Sequence, residues 1–260
     1  MRLDYALFDP TGNITILVET PVPPASQPHA AARLMREEPS AEQVGFLFPA
    51  AECDLGLRMA GGEFCGNASM CAAVLRGMDA GLREGRVVLR VSGAEEPVTV
   101  DVERLSAGSY RGRVSMPPPA SAGKELFPDG IARPVVRFQG ITHVILEQPP
   151  DRAAAEALAP VWCGYLGAAA LGMMFLDSGA GTMTPLVYVP GADTLCWENS
   201  CASGTTAAAA WLARGSADPL TLSLRQPGGV LAAEVVPGGG FSLTGVVALR
   251  KRGSLEVTLD

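Results

Sequence analysis

Cys65-Gly66-Asn67-Ala68-Ser69-Met70-Cys71-Ala72-Ala73 is answered by Cys201-Ala202-Ser203-Gly204-Thr205-Thr206-Ala207-Ala208-Ala209, 136 positions later. Both blocks open on a cysteine, continue through small or turn-favouring residues and run into alanine-rich chain. Upstream, Gly12-Asn13-Ile14-Thr15-Ile16-Leu17-Val18-Glu19 aligns without gaps on Gly140-Ile141-Thr142-His143-Val144-Ile145-Leu146-Glu147, 128 positions on. The offset grows by only eight residues between the two pairs, so the second half replays the first with one modest insertion. Self-similarity of this kind is the first thing to settle, because it decides the architecture.

Each cysteine block is followed by three strand-like runs, at 87–91, 98–102 and 110–116 in the first half and 220–224, 231–236 and 241–249 in the second. These are alternating or β-branched stretches bounded by Gly, Pro and Ser. Residues 68–76 and 205–214 are rich in Ala, Leu and Met and read as helices, with Gly77 and Gly215 where C-caps belong. Pro117-Pro118-Pro119 marks a boundary. The expected organisation is an N-terminal lobe over 1–117, joined by the last C-terminal strand, and a C-terminal lobe over 118–260. Duplicated lobes commonly pack about a pseudo-two-fold axis with equivalent residues facing a cleft.

Composition narrows the function classes. The chain has 260 residues, 48% hydrophobic and 18% charged, with a formal net charge of −7. That balance disfavours nucleic acid or an anionic membrane as the main partner. Arg250-Lys251-Arg252 is short and reads as a solvated strand end. The uncharged stretch 158–176 approaches the length of a membrane span, but it holds Pro160 and three glycines. It reads as a helix end, a turn and a buried strand. The start Met1-Arg2-Leu3-Asp4-Tyr5 lacks a signal-peptide pattern, which points to the cytoplasm. Six cysteines in that compartment argue against a disulfide framework. None sits in a Cys-x-x-Cys pair and both histidines are distant, so a zinc site is not expected. A pyridoxal phosphate enzyme needs an activated lysine, and only Lys124 and Lys251 exist, in a linker and between two arginines. No cofactor is expected.

Cys65 and Cys201 each occupy the last position before a helix. Helix starts leave backbone N–H groups free and carry the positive end of the dipole, which suits a carboxylate. The same field lowers a thiol pKa. Two such half-sites facing one substrate carboxylate would set its α-carbon between two sulfurs. A thiolate removes the proton from one face and a thiol supplies one to the other. That is two-base racemisation, with the N–H groups stabilising the enolate-like charge. Cys53, Cys71, Cys163 and Cys196 lack this context and read as core or surface thiols.

At these residues the sequence resembles the diaminopimelate epimerase family and its relatives, the cofactor-independent amino-acid racemases. The anchors are Gly12-Asn13, Glu42-Gln43, Cys65-Gly66-Asn67, Thr142-His143, and Trp197-Glu198 ahead of Cys201. The resemblance implies an α/β (α+β) fold of two pseudo-symmetric lobes, each a curved mixed sheet or barrel around a central helix, with the active site in the cleft between them. It implies Cys65 and Cys201 as acid/base thiols. His143 would support the first thiol and Glu198 the second, against the plainer readings of a strand-packed histidine and a capping glutamate. It implies Asn13, Gln43, Gly66, Asn67, Ala202 and Ser203 as substrate-binding positions, and a homodimer in keeping with family habit. His29 has no counterpart and reads as a surface residue.

The departures bear on substrate. Asn199 stands after Glu198 where the epimerase pattern has arginine, and Gly140-Ile141-Thr142-His143 replaces Gly-Asn-Pro-His. The strand Gly172-Met173-Met174-Phe175 lacks the expected asparagines. A distal carboxylate would be left poorly paired, at a cost of several kcal/mol if desolvated. The short Glu198-to-Cys201 loop and Ser203-Gly204-Thr205-Thr206 look more like the histidine racemases of opine-metallophore biosynthesis. Histidine is therefore the preferred substrate. The alternatives are diaminopimelate epimerase, an isomerase of a non-amino carboxylic acid, and a catalytically silent amino-acid- or opine-binding protein.

Overall fold

A computed structural model describes residues 1–192 and 194–258. The chain forms two compact units, one of Met1–Ser115 together with the stretch from Thr244 onward, the other of Met116–Leu243. In the first unit the elements run β1 (Arg2–Pro10), β2 (Thr15–Val18), α1 (Gln27–Glu37), β3 (Gln43–Phe48), β4 (Leu55–Met59), α2 (Gly66–Asp79), β5 (Glu84–Val91), β6 (Val98–Ser106) and β7 (Ser109–Met116). The second unit continues with β8 (Ser121–Leu126), β9 (Ala132–Phe138), β10 (Ile141–Leu146), α3 (Arg152–Tyr165), β11 (Leu171–Asp177) and β12 (Thr182–Val189). There follow β13 (Thr194–Trp197), α4 (Ala202–Leu212), β14 (Leu220–Gln226), β15 (Gly229–Val236) and the long β16 (Gly240–Glu256), whose residues from Thr244 onward belong to the first unit. The fold is mixed and β-rich, with four α-helices among the described residues.

The two units have the same wiring. In the first, β1/β2 pair antiparallel, β2/β3 parallel, β3/β4 antiparallel, β4/β5 parallel and β5/β6 antiparallel. The second repeats that alternation through β9/β10, β10/β11, β11/β12, β12/β14 and β14/β15. A parallel step needs a long crossover, and each carries a helix. α1 and α3 serve the first parallel step of their units, α2 and α4 the second. β1 also pairs with β16, so the strands of the first unit close on themselves.

The helices differ by what surrounds them. α1 buries Gln27, Ala30, Ala31 and Leu34, and α3 buries Ala155, Ala159, Trp162 and Cys163. Those spacings make one apolar stripe apiece, laid on the clusters around Leu3, Ile16 and Phe46 and around Phe127, Leu171 and Leu186. α2 is buried continuously from Gly66 to Leu75, and α4 is almost wholly buried from Ala202 to Ala210. A helix enclosed on all sides favours small, mostly apolar residues, in keeping with the alanine-rich composition of both.

Two local expectations need correction. Gly77 is not a C-cap: α2 continues to Asp79 and stops where Gly81 turns left-handed at φ +66°. Gly77 instead lies against Val102. The uncharged stretch 158–176 is a helix end, a turn and a buried strand as expected, with α3 running through Pro160 to Tyr165 and β11 starting at Leu171. Arg250-Lys251-Arg252 is exposed but lies inside β16 rather than at a strand end, with Arg250 paired to Asp9, Lys251 to buried Glu38 (2.7 Å) and Arg252 to Asp79 (2.7 Å). Among the described residues no helix is long and apolar enough to cross a membrane.

Candidate active site

Cys65 is the N-cap of α2, in an extended conformation (φ −131°, ψ 111°), and Cys201 is the N-cap of α4 in nearly the same one (φ −124°, ψ 110°). The agreement extends to side chains. Ser69 Oγ donates to the Cys65 carbonyl at 2.8 Å, and Thr205 Oγ1 donates to the Cys201 carbonyl at 2.7 Å. Each hydroxyl lies four residues into the helix and ties the capping carbonyl to the first turn. Cys65 Sγ accepts from the Ala68 N–H at 3.4 Å, and the Gly204 N–H hydrogen-bonds the Cys201 thiol. Helical geometry leaves the N–H groups of Gly66 and Asn67, and of Ala202 and Ser203, without intrahelical acceptors. Both helix starts therefore present a sulfur beside two N–H donors that the helix itself does not use.

In the first unit Asn13, just ahead of β2, is buried and donates through Nδ2 to Glu42 at 2.8 Å. Gln43 opens β3 opposite Thr15 and is half-buried. Asn13 Oδ1 and Asn67 Oδ1 are buried and have no hydrogen-bond partner among the described residues. Cys71 is fully buried, and desolvation pushes its thiol well up, with Cys65 and Asp9 adding to the shift. It is a core thiol.

In the second unit the side chains converge on Cys201. Glu198 hydrogen-bonds its thiol, Ser203 Oγ lies 3.6 Å from its sulfur, and His143 Nε2 lies 3.0 Å from Ser203 Oγ. Gln226, at the end of β14, accepts the Cys201 N–H at 2.9 Å and donates to Thr205 Oγ1 at 2.8 Å. His143 sits on β10 opposite Gly172 of β11, and its ring fills the space a side chain would take: a Cβ on Gly172 would lie 2.2 Å from Nδ1. Phe138 packs edge-on to the ring at 5.9 Å.

The expected lowering of the thiol pKa by the helix start does not hold for Cys201. Burial pushes this thiol well up, and the charge and hydrogen bond of Glu198 push it further. The Ser203 hydroxyl and the Gly204 N–H act in the opposite direction but do not prevail. Desolvation of a charge outweighs a partial dipole when water is excluded. His143 is fully buried, and desolvation pushes its pKa down to about 3, so its imidazole is neutral.

Sequence reasoning omitted Gln226, Thr205 and Gly172. Gln226 was detectable: Leu220, Leu222 and Leu224 set one face of β14, and Gln226 continues it, a buried amide where the pattern demands a hydrophobe. Gly172 gave no such signal, since only the structure shows which ring presses on it. No disulfide joins the six cysteines; Cys163 is buried, Cys53 half-buried and Cys196 exposed, and His29 is exposed.

Residues 2–241 match the family model described as histidine racemase CntK N-terminal domain. A histidine racemase of Fusobacterium nucleatum is 35% identical over 214 residues, covering 79% of each chain. Among solved structures, a predicted epimerase from Pseudomonas aeruginosa superposes with a TM-score of 0.73 at 17% identity, over 98% of this chain and 100% of that one. A hydroxyproline epimerase from Agrobacterium vitis gives 0.71 at 15% identity, over 98% and 92%. The fold is the one these two solved structures have. With the family match across nearly the whole sequence and the relative beside it, the chain belongs to the histidine racemase family and is an isomerase.

Proposed function

We propose that this protein interconverts L- and D-histidine by moving the α-proton between Cys65 and Cys201. The observation that carries the reading is the repeated N-cap cysteine, with equivalent backbone angles and equivalent hydroxyl ties at the two helix starts. Histidine as substrate is supported by the relatives, whose names state it. In this reading the lobes are pseudo-symmetric and the substrate lies in a cleft between them, with both sulfurs reaching its α-carbon from opposite faces. The donors of Gly66, Asn67, Ala202 and Ser203 receive the α-carboxylate and stabilise the enolate-like charge.

A two-base exchange requires one thiolate and one thiol at any moment. The raised pKa of Cys201 supports it as the protonated partner in the resting enzyme. Cys65 then takes the proton from one face while Cys201 delivers its own to the other, and the reverse reaction exchanges the roles. Glu198 is a local partner of the Cys201 thiol. A reducing compartment suits two working thiols, which favours the cytoplasm, and a homodimer is the expected assembly.

The test is α-hydrogen exchange of histidine in deuterated water together with racemisation measured by circular dichroism, without added cofactor. Cys65→Ser and Cys201→Ser should each lower racemisation at least about 100-fold, the scale of a lost acid/base group. Near-normal racemisation by either variant would overturn the two-thiol mechanism. Activity on diaminopimelate or a non-amino acid, with none on histidine, would overturn the substrate.

A further inference from the structure

We propose that His143 and Ser203 form a one-way hydrogen-bond relay that ends on the sulfur of Cys201, making both of them positioning residues for that thiol. The relay rests on the two-thiol reading for its catalytic meaning, but its geometry stands independently. The three groups are contiguous: His143 Nε2 to Ser203 Oγ is 3.0 Å and Ser203 Oγ to Cys201 Sγ is 3.6 Å.

The direction follows from what the imidazole lacks. A neutral histidine has one N–H. His143 Nδ1 is buried without a partner among the described residues, and the backbone of Gly172 presses against that edge of the ring. A proton on Nδ1 would be stranded in a dry site, and an orphaned buried N–H is costly. On Nε2 it finds Ser203. His143 therefore donates and Ser203 Oγ accepts, which leaves the hydroxyl proton of Ser203 to point at Cys201. Protonating the ring as well would bury a cation with the same stranded N–H, so His143 does not store the proton in transit. It fixes a hydroxyl, and the hydroxyl stabilises negative charge on sulfur.

The groups around that sulfur explain why such a device is needed. Glu198 faces the thiol from the preceding loop and opposes its ionisation; Gly204 supplies one N–H from α4. Gln226 spends its oxygen on the Cys201 N–H, and Met174 of β11 packs against the first turn with an apolar side chain. Of these groups only Glu198 is charged. The relay is thus the one neutral side-chain donor set against a carboxylate, and it allows Cys201 to accept a proton as well as release one.

The probe is iodoacetamide, which alkylates thiolate, used at pH 8 on the full-length protein carrying Cys65→Ser, with Cys201 followed by mass spectrometry. Ser203→Ala should slow alkylation of Cys201 about ten-fold, the effect of one pKa unit. Ser203→Thr keeps the hydroxyl and should stay within about three-fold of the parent on the same scale. His143→Phe should slow alkylation as Ser203→Ala does, and the double variant should be no slower than Ser203→Ala alone, because both cut one chain. Alkylation at the parent rate in Ser203→Ala, or a Ser203→Thr as slow as Ser203→Ala, overturns the relay. If His143→Phe fails to fold, the Ser203 pair decides. The assay involves no turnover, so its failure leaves the two-thiol reading standing, and failure of racemisation leaves the relay's test intact.

Discussion

Replacing Gln226 with leucine isolates the clamp that holds Cys201 in its capping conformation. The side chain is 4% exposed and makes two hydrogen bonds, to the Cys201 N–H and to Thr205 Oγ1. Leucine occupies a similar volume, so the change removes the polar contacts with little cavity. The Cys201 N–H then becomes a buried donor without an acceptor, at about 1–3 kcal/mol, and the bond to Thr205 is worth about 1 kcal/mol. The net loss is about 2–4 kcal/mol. For a chain of this size that corresponds to a melting temperature lower by roughly 4–16 °C. Thr205→Val breaks the same network from the helix side, so the double variant should cost at least about 1 kcal/mol less than the two single losses added together. Thermal unfolding of the four proteins gives the stabilities, and histidine racemisation shows whether a displaced Cys201 still works. Single losses within about 0.5 kcal/mol of zero, the range of an ordinary surface change, or strict additivity, would refute the clamp.

Gly172→Ala should displace the His143 ring, lower stability by about 1–3 kcal/mol as overpacking does, and reduce racemisation; an unchanged melting temperature would count against the close packing. The Tyr5–Glu38–Lys251 cluster should set the limits of pH stability. Burial and then the Glu38 hydrogen bond push Tyr5 up to about 12. Its contribution is therefore present below pH 10 and lost as the pH rises towards 12. Urea unfolding between pH 9 and 12 should show a decline in the parent that flattens in Tyr5→Phe. Glu38 has the opposite sense: burial pushes its carboxyl up, but hydrogen bonds from Lys251 and Tyr5 hold it below its ordinary value. Its contribution is lost as the pH falls through that lowered value, and Lys251→Met should shift the acid transition to higher pH.

Much of this fold was legible because a duplicated sequence states its topology twice. The runs at 87–91, 98–102 and 220–224 fall inside β5, β6 and β14, and the two helices that begin at the cysteines lie where the alanine-rich blocks place them. Helix α1 received no assignment, although Gln27, Ala30, Ala31 and Leu34 carry its stripe. Its weak hydrophobicity and Pro28 concealed a pattern that only the apolar cluster beneath makes decisive. At the site, the position before a helix singled out Cys201, whereas Glu198, Ser203 and His143 came from the family resemblance, which set His143 beside Cys65 and did not anticipate its contact with Ser203. The direction of the Cys201 pKa was misread because a helix start is visible in sequence and the dryness around it is not. Gln226 and Gly172 lie far from the cysteine in sequence, and their roles depend on strand registers that no local pattern specifies.

The seventeen-residue β16 has a consequence for how the molecule is made. Residues from Thr244 complete a unit that begins at Met1, and β1 pairs with β16 along most of its length. On the ribosome the second unit emerges as one uninterrupted segment, whereas the unit begun first waits with an open strand edge until the residues from Thr244 onward have been made. Domains generally fold as their segments become available, so here maturation runs against the order of synthesis. Early termination before Thr244 would strand β1 as an adhesive edge, exposing nascent chains to aggregation through the half that was made first.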